Sequence, residues 1–244
     1  MWPLFKKELI SFFASITGYL IIVSFLIING LFLWVIPGYL NILDMGYSSL
    51  NSFFTIAPLV FLFLVPAITM KMFAEEKKIG TLDLILAKPI SDLEIVLAKF
   101  FASLMLVFAS LLPTLIYYIT IYFISFPIGN IDTGGIIGSY IGLFFLASAY
   151  ISISLFSSVI TDNQILAFLG GAFLCFFFYF AFDTVAELPF LKPISFYVYK
   201  LGINEHYKSL SRGVIDSRDI IYFISFDAFF LLITKLKLTS RKWN

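Results

Sequence analysis

The chain has 244 residues, 61% of them hydrophobic, 19% aromatic and 13% charged, with a net charge of +1 and a mean hydropathy of +1.00. A soluble globular domain carries about 45–50% apolar and about 25% charged residues, so this composition points to an integral membrane protein with little soluble mass. The small net charge gives no basis for a nucleic-acid partner, and the lone Cys175, set in an apolar run, excludes an intramolecular disulfide.

Residues 2–14 (WPLFKKELISFFA) place Phe5, Leu9, Phe12 and Phe13 at helical spacing with Lys6, Lys7 and Ser11 elsewhere around the helix. That pattern predicts an amphipathic helix lying in the membrane interface. The apolar run at 16–37 is longer than the ~7–15 residues of a cleaved signal core, so it reads as a retained first span. A polar turn at 41–52 leads to a second span at 53–73, which contains Pro58 and Pro66. Proline is better tolerated in membrane helices than in soluble ones. A third span at 95–125 exceeds one bilayer thickness and holds Pro113, which predicts a tilt, a kink or an extension into the cytosol. The fourth and fifth spans, 136–160 and 165–182, are joined by a turn so short that they must be antiparallel neighbours. The fourth carries Gly138 and Gly142 with Ser148, Ser152 and Ser154, a face that allows close helix approach. Residues 183–218 mix charges with apolar clusters, including Phe190 and Leu191, and predict one or two short helices at the membrane face. His206 and Arg212 belong to this segment. Ser217 reads as the N-cap of a sixth span at 219–236. Asp227 lies near the middle of that span, as a contact on a substrate path or a polar bond between helices.

The least lipid-like stretch is 71–99, where Glu75, Glu76, Lys77, Lys78, Asp83, Lys88, Asp92 and Glu94 fall between two apolar runs. With the N-terminus inside, Lys6, Lys7, Lys71, Lys77, Lys78, Lys88, Lys99, Lys235, Lys237, Arg241 and Lys242 are cytoplasmic. Lys192, Lys200, Lys208, Arg212 and Arg218 are outside, all in one segment. The positive-inside rule then gives six spans with both termini cytoplasmic and an extracytoplasmic segment at 183–218.

The chain has no G-x-x-x-x-G-K-[ST] phosphate loop, no Cys/His/carboxylate cluster with metal-ligand spacing and no G-x-S-x-G elbow. Catalysis, a bound cofactor and a metal site are therefore not expected of it. A membrane domain without an ATPase that does mechanical work must receive that work from a separate one. Residues 75–90 are suited to the docking, because Leu82, Ile85 and Leu86 supply apolar anchors at helical spacing and Pro89 ends the element. The alternative is a solvated connector whose charges only keep it out of lipid.

The stretch AEEKKIGTLDLILAKPISDLEIVLAKF resembles the first cytoplasmic loop of ABC-2-type exporter permeases, in Glu75, Glu76, Gly80, Thr81, Leu84, Leu86, Pro89, Ile90, Ser91 and Lys99. The six-span layout and the leading amphipathic helix resemble that family too, and HYKSLSRGVIDSRDIIYF is similar to the matching piece of its gliding-motility (GldF-type) subgroup. The resemblance implies an all-α inner-membrane protein forming one transmembrane domain over 1–244, with a coupling helix between spans two and three. It implies a dimer with a second copy or a related membrane subunit, and a separate P-loop ATPase that uses ATP and docks at 75–90. The function implied is export. A membrane scaffold that couples an ATPase to envelope proteins without carrying substrate is the alternative, and a polytopic enzyme or secondary carrier is disfavoured by the scarcity of buried polar groups.

Overall fold

A computed structural model describes residues 1–213 and 215–240. Val214 and the terminal Arg241, Lys242 and Trp243 lie outside the described residues, as do the side chains of Phe190 and Leu191. Among the described residues 81% are helical and none is in a strand. Among the described residues, five helices are long and apolar enough to cross a membrane.

Helix α1 (Trp2–Phe13) buries Leu4, Glu8 and Phe12, one stripe at i, i+4, i+8. The face differs from the expected one, since Phe13 is exposed and an acid lies in the middle of the stripe. Helix α2 (Ile16–Gly30) starts where Ser15 Oγ accepts from Gly18 N, and widens into a π-turn over Leu31–Val35. Helix α3 (Asn51–Ile79) runs unbroken through Pro58 and Pro66 and continues beyond the expected end of the second span. At ~1.5 Å per residue it reaches about 44 Å, longer than the ~30 Å hydrocarbon core of a bilayer. The segment from Lys71 to Lys78 stays helical because Met, Ala, Glu and Lys are good helix formers. The helix stops at Gly80, whose φ of 79° is the left-handed conformation that glycine adopts at little cost.

Helix α4 (Thr81–Leu86) follows at once, and a turn through Pro89 leads to α5 (Asp92–Leu111). A capping box starts α5: Ser91 Oγ accepts from Glu94 N, and Glu94 Oε2 accepts from Ser91 N at 3.1 Å. Pro113 breaks the third span as expected, with a 3₁₀ turn at Leu112–Thr114 before α6 (Leu115–Ile124).

Helix α7 (Thr133–Ile160) is the axis of the fold and packs against α3, α5 and α8 (Gln164–Ala186). The outer segment forms a 3₁₀ turn at Pro189–Ile194, α9 (Ser195–Tyr199) and α10 (Ile203–Leu210), and α10 lies against α7. Gly138 and Gly142 make room for α10, because a Cβ on Gly138 would stand 2.7 Å from the Leu210 carbonyl oxygen. The last helix, α11 (Ser217–Ser240), also packs on α7. Its first turn is capped by Asp216, whose Oδ1 accepts from Arg218 N at 2.9 Å, and Ser217 is helical rather than the expected cap. The aspartate one residue earlier reaches the free N–H of the first turn, which leaves the serine nothing to cap.

Candidate functional site

The end of α3, α4 and the start of α5 form a helical hairpin beside α1. Behind it lies a cluster of four charges. Lys99 is fully buried; its ammonium donates to Glu8 Oε1 at 3.1 Å and to the Met72 carbonyl at 2.7 Å, and it forms an ion pair with Glu76 Oε2 at 2.7 Å. Lys7 closes the box from the solvent side, 2.8 Å from Glu76 Oε1 and 3.2 Å from Glu8 Oε1. Two cations face two carboxylates, so the cluster is neutral while it is withdrawn from water. Desolvation lowers the affinity of Lys7 for its proton, but the hydrogen bond to Glu76 and the charges of Glu8 and Glu76 outweigh it and hold the ammonium above its ordinary pKa of 10.5. The cluster locks α1 to α3 and α5.

Other ties converge on the same end of the bundle. The Met1 ammonium lies 3.6 Å from Glu94 Oε1, and Thr239 Oγ1 donates to the buried Asp92 at 2.9 Å, so residues at the ends of the first and last described helices both meet the start of α5. Lys77 Nζ donates to the Val159 carbonyl in the last turn of α7, where a cation complements the helix dipole. Ser158 Oγ accepts from Phe73 N and Ala74 N at 3.2 Å each. The hairpin is thus fastened to α1, α7 and α11.

The structure divides the residues that sequence reasoning assigned to docking. Leu82 is fully buried, Ile85 is 8% exposed and Glu76 lies in the ion cluster, so these three face the chain itself. This corrects the expectation that Leu82 and Ile85 are outward anchors. A short helix with two apolar stripes buries one of them against its own protein, and the stripe at 82 and 85 is the one the α3–α5 hairpin covers. Leu86 and Glu75 are half-buried, and the Thr81 hydroxyl donates to the Glu76 carbonyl at 3.4 Å. What α4 and its flanks present to the outside is Ile79 and Leu84, 65% and 68% exposed, with Gly80, Asp83, Lys88 and Pro89. Lys7, Glu8, Asp92 and Thr239 were not picked out as part of this site from sequence. An acid in the middle of the Leu4–Glu8–Phe12 stripe was a readable sign of a buried partner.

The remaining candidates lie elsewhere. Asp227 accepts from Ser148 Oγ at 2.7 Å, a polar bond between α11 and α7. His206 joins α10 to α11 through Asp219 Oδ1 at 2.6 Å and stacks on Tyr222, while Arg212 is exposed nearby in sequence. These two are at the other end of the molecule, where Tyr207 Oη donates to the Phe54 carbonyl near the start of α3. Among the described residues no group of His, Cys, Asp and Glu could hold a metal ion.

A family profile described as "ABC-2 family transporter protein" matches residues 38–211, more than half of the chain and all of the hairpin. The chain belongs to the ABC-2 transporter family. It is therefore an ABC-2-type permease, a multi-pass membrane protein and the transmembrane subunit type of an ABC transporter. The matched stretch leaves out α1, α2 and α11 of this ABC-2 permease, although α1 supplies half of the charge cluster. Permeases of this family work with an ATPase subunit. No curated protein matches the chain.

Proposed function

We propose that this ABC-2 permease is the membrane subunit of an ATP-driven exporter and that a separate P-loop ATPase docks on the outward face of α4. The observation that carries this reading is the pairing of an exposed apolar knob, Ile79 and Leu84, with a rigid charged base, Lys7–Glu8–Glu76–Lys99. A partner that pushes on the knob moves α1, α3 and α5 together. ATP is bound and used by that partner, and this chain binds none. The permease pairs with a second copy or a related membrane subunit in the inner membrane. The gliding-motility assignment is supported by the HYKSLSRGVIDSRDIIYF segment alone.

A six-span topology with cytoplasmic termini is part of the proposal. Helix α11 begins beside α10, at the His206–Asp219 contact, and ends beside α5, at Thr239–Asp92, so it runs the length of the bundle. Its 24 residues give ~36 Å, enough for a ~30 Å hydrocarbon core. Asp227, Lys235 and Lys237 make it less apolar than the other five, and the two lysines can snorkel from its last turns.

The test is co-purification with a P-loop ATPase subunit expressed together with this chain. Leu84→Asp, at an exposed position, should insert and fold normally yet lose the ATPase; an ATPase retained at the wild-type ratio overturns the docking claim.

A further inference from the structure

A groove of about 740 Å³ runs between α1, α5 and α7. Its longest wall is a stripe on α5, where Phe101, Met105, Phe108 and Leu112 recur at three and four residues and are all exposed. From Phe101 to Leu112 the stripe is ~17 Å long at ~1.5 Å per residue, comparable with one leaflet of a ~30 Å hydrocarbon core. Helix α1 borders both this groove and the ion cluster: Trp2 and Phe5 line the groove, and Lys7 and Glu8 enter the cluster.

Three observations define what fits there. The first is the chemistry of the walls. The lining side chains are hydrocarbon, aromatic or thioether, apart from the phenol of Tyr140. That hydroxyl is already engaged, donating to the Thr114 carbonyl at 3.1 Å, and the Met1 ammonium at the end of the groove lies beside Glu94. A polar ligand would lose its hydration and find no free partner inside, so the occupant is apolar along this length. The second is shape. Spread over ~17 Å, the volume of about 740 Å³ leaves a mean width of about 7 Å, whereas a helix with its side chains is ~10–12 Å across. Extended hydrocarbon chains fit within the groove and a helix of a second copy does not. The third is the end formed by α1. Trp2 is 71% exposed there and stacks on Phe5, and the neighbouring Lys6 is exposed and stands outside the ion cluster that holds Lys7. A tryptophan beside a basic residue marks the depth of lipid head groups, and the lysine offers a cation to a phosphate.

We propose that the groove is a phospholipid site, in which acyl chains fill the stripe of α5 and the head-group phosphate meets Lys6. Within a bilayer no water is released by this contact. What favours it is packing, since chains that follow the groove regain dispersion contacts that loosely fitting lipid forfeits. The bound lipid presses Trp2 and Phe5 against α5 and so steadies the helix that carries Lys7 and Glu8 to the α3–α5 hairpin. The proposal rests on the membrane placement of α5 and α7 and on α1 lying at head-group level. It does not depend on where the ATPase docks, so failure at Leu84 and failure here are separate results.

The test uses the full-length protein reconstituted in nanodiscs of phosphatidylethanolamine and phosphatidylglycerol, then transferred to detergent and read by native mass spectrometry. The expected result is one phospholipid retained per chain after a detergent exchange that strips the rest. Met105→Trp, at an exposed position, fills the middle of the groove and should lower that occupancy at least ~10-fold. Leu169→Trp, at a similarly exposed position on α8, is the control for ordinary surrounding lipid and should leave occupancy unchanged. Lys6→Ala removes the phosphate contact and should weaken retention ~5-fold. Should Met105→Trp misfold, the wild-type protein decides the matter by a second readout: adding phospholipid back to the stripped protein should raise its thermal midpoint. No retained lipid and no stabilisation on add-back, wild-type retention by Met105→Trp or Lys6→Ala, or an equal loss with Leu169→Trp overturns the proposal. So does a lipid-free dimer that Met105→Trp converts to monomers, which would give the groove to a second copy of the chain.

Discussion

Replacing Lys99 with methionine removes the one cation that touches Glu8, Glu76 and the Met72 carbonyl together. The methionine is close in volume, so the change is one of charge. Breaking a buried ion pair from one side costs about 3–5 kcal/mol, because the other charge is left in a low-dielectric site. Lys7 still contacts both acids, which puts the expected cost near the lower end, ~3 kcal/mol. For a chain of this size that is a fall in Tm of roughly 6–12 °C. Cys175 supplies the assay. It is the only cysteine and it is buried, so a thiol-reactive dye reports unfolding of the purified protein in detergent. The double variant Lys99→Met/Glu76→Gln restores one cation facing one carboxylate and should recover part of the loss, a coupling that a double-mutant cycle measures. An unchanged midpoint for Lys99→Met, or a double variant less stable than the sum of its parts, would refute the cluster as a structural lock.

Gly80→Ala should cost ~1–2 kcal/mol, as a residue with a Cβ is forced to a φ of 79°. Nothing stands within 4 Å of the added carbon, so Gly80→Asn should recover most of that loss in the same thermal assay. Asp227→Asn keeps an acceptor for Ser148 and should shift stability by no more than about 1 kcal/mol. Loss of transport with normal assembly would assign Asp227 to the path instead. The Lys7 ammonium is held above 10.5 in the folded protein, so its contribution is fully present below pH 10.5 and disappears as pH rises through the folded value. A disulfide or spin-label distance between α1 and α3 should therefore loosen in strongly alkaline buffer, and Lys7→Gln should be looser at neutral pH and lose that component of the pH dependence.

The first five spans were legible because each is an uninterrupted apolar run, and Pro113 announced the break in the third. The charged stretch was harder to read. Charge density suggested a loop after residue 73, whereas α3 stays helical to Ile79, since nothing between Lys71 and Lys78 opposes a helix. The Ser91-x-x-Glu94 pattern that starts α5 was open to a sequence reading as a capping box. The orientation of α4 was not. Leu82, Leu84, Ile85 and Leu86 put apolar groups on every side of six residues, so periodicity cannot say which stripe faces the protein. The cluster itself depends on residues 69 and 91 positions apart in the chain, which no local pattern connects. The Gly138/Gly142 face was legible as a close-approach surface, but its occupant, α10, emerged only from the tertiary arrangement.

The central claim is that the outward side of α4, and not its buried side, receives the motor. A photo-crosslinking residue placed separately at positions 84 and 82 in the assembled complex tests it most directly. The account predicts that position 84 captures the ATPase in a nucleotide-dependent manner and that position 82, fully buried within the permease, captures only the permease itself. Capture of the ATPase from position 82, or from neither position while the complex remains intact, would contradict it.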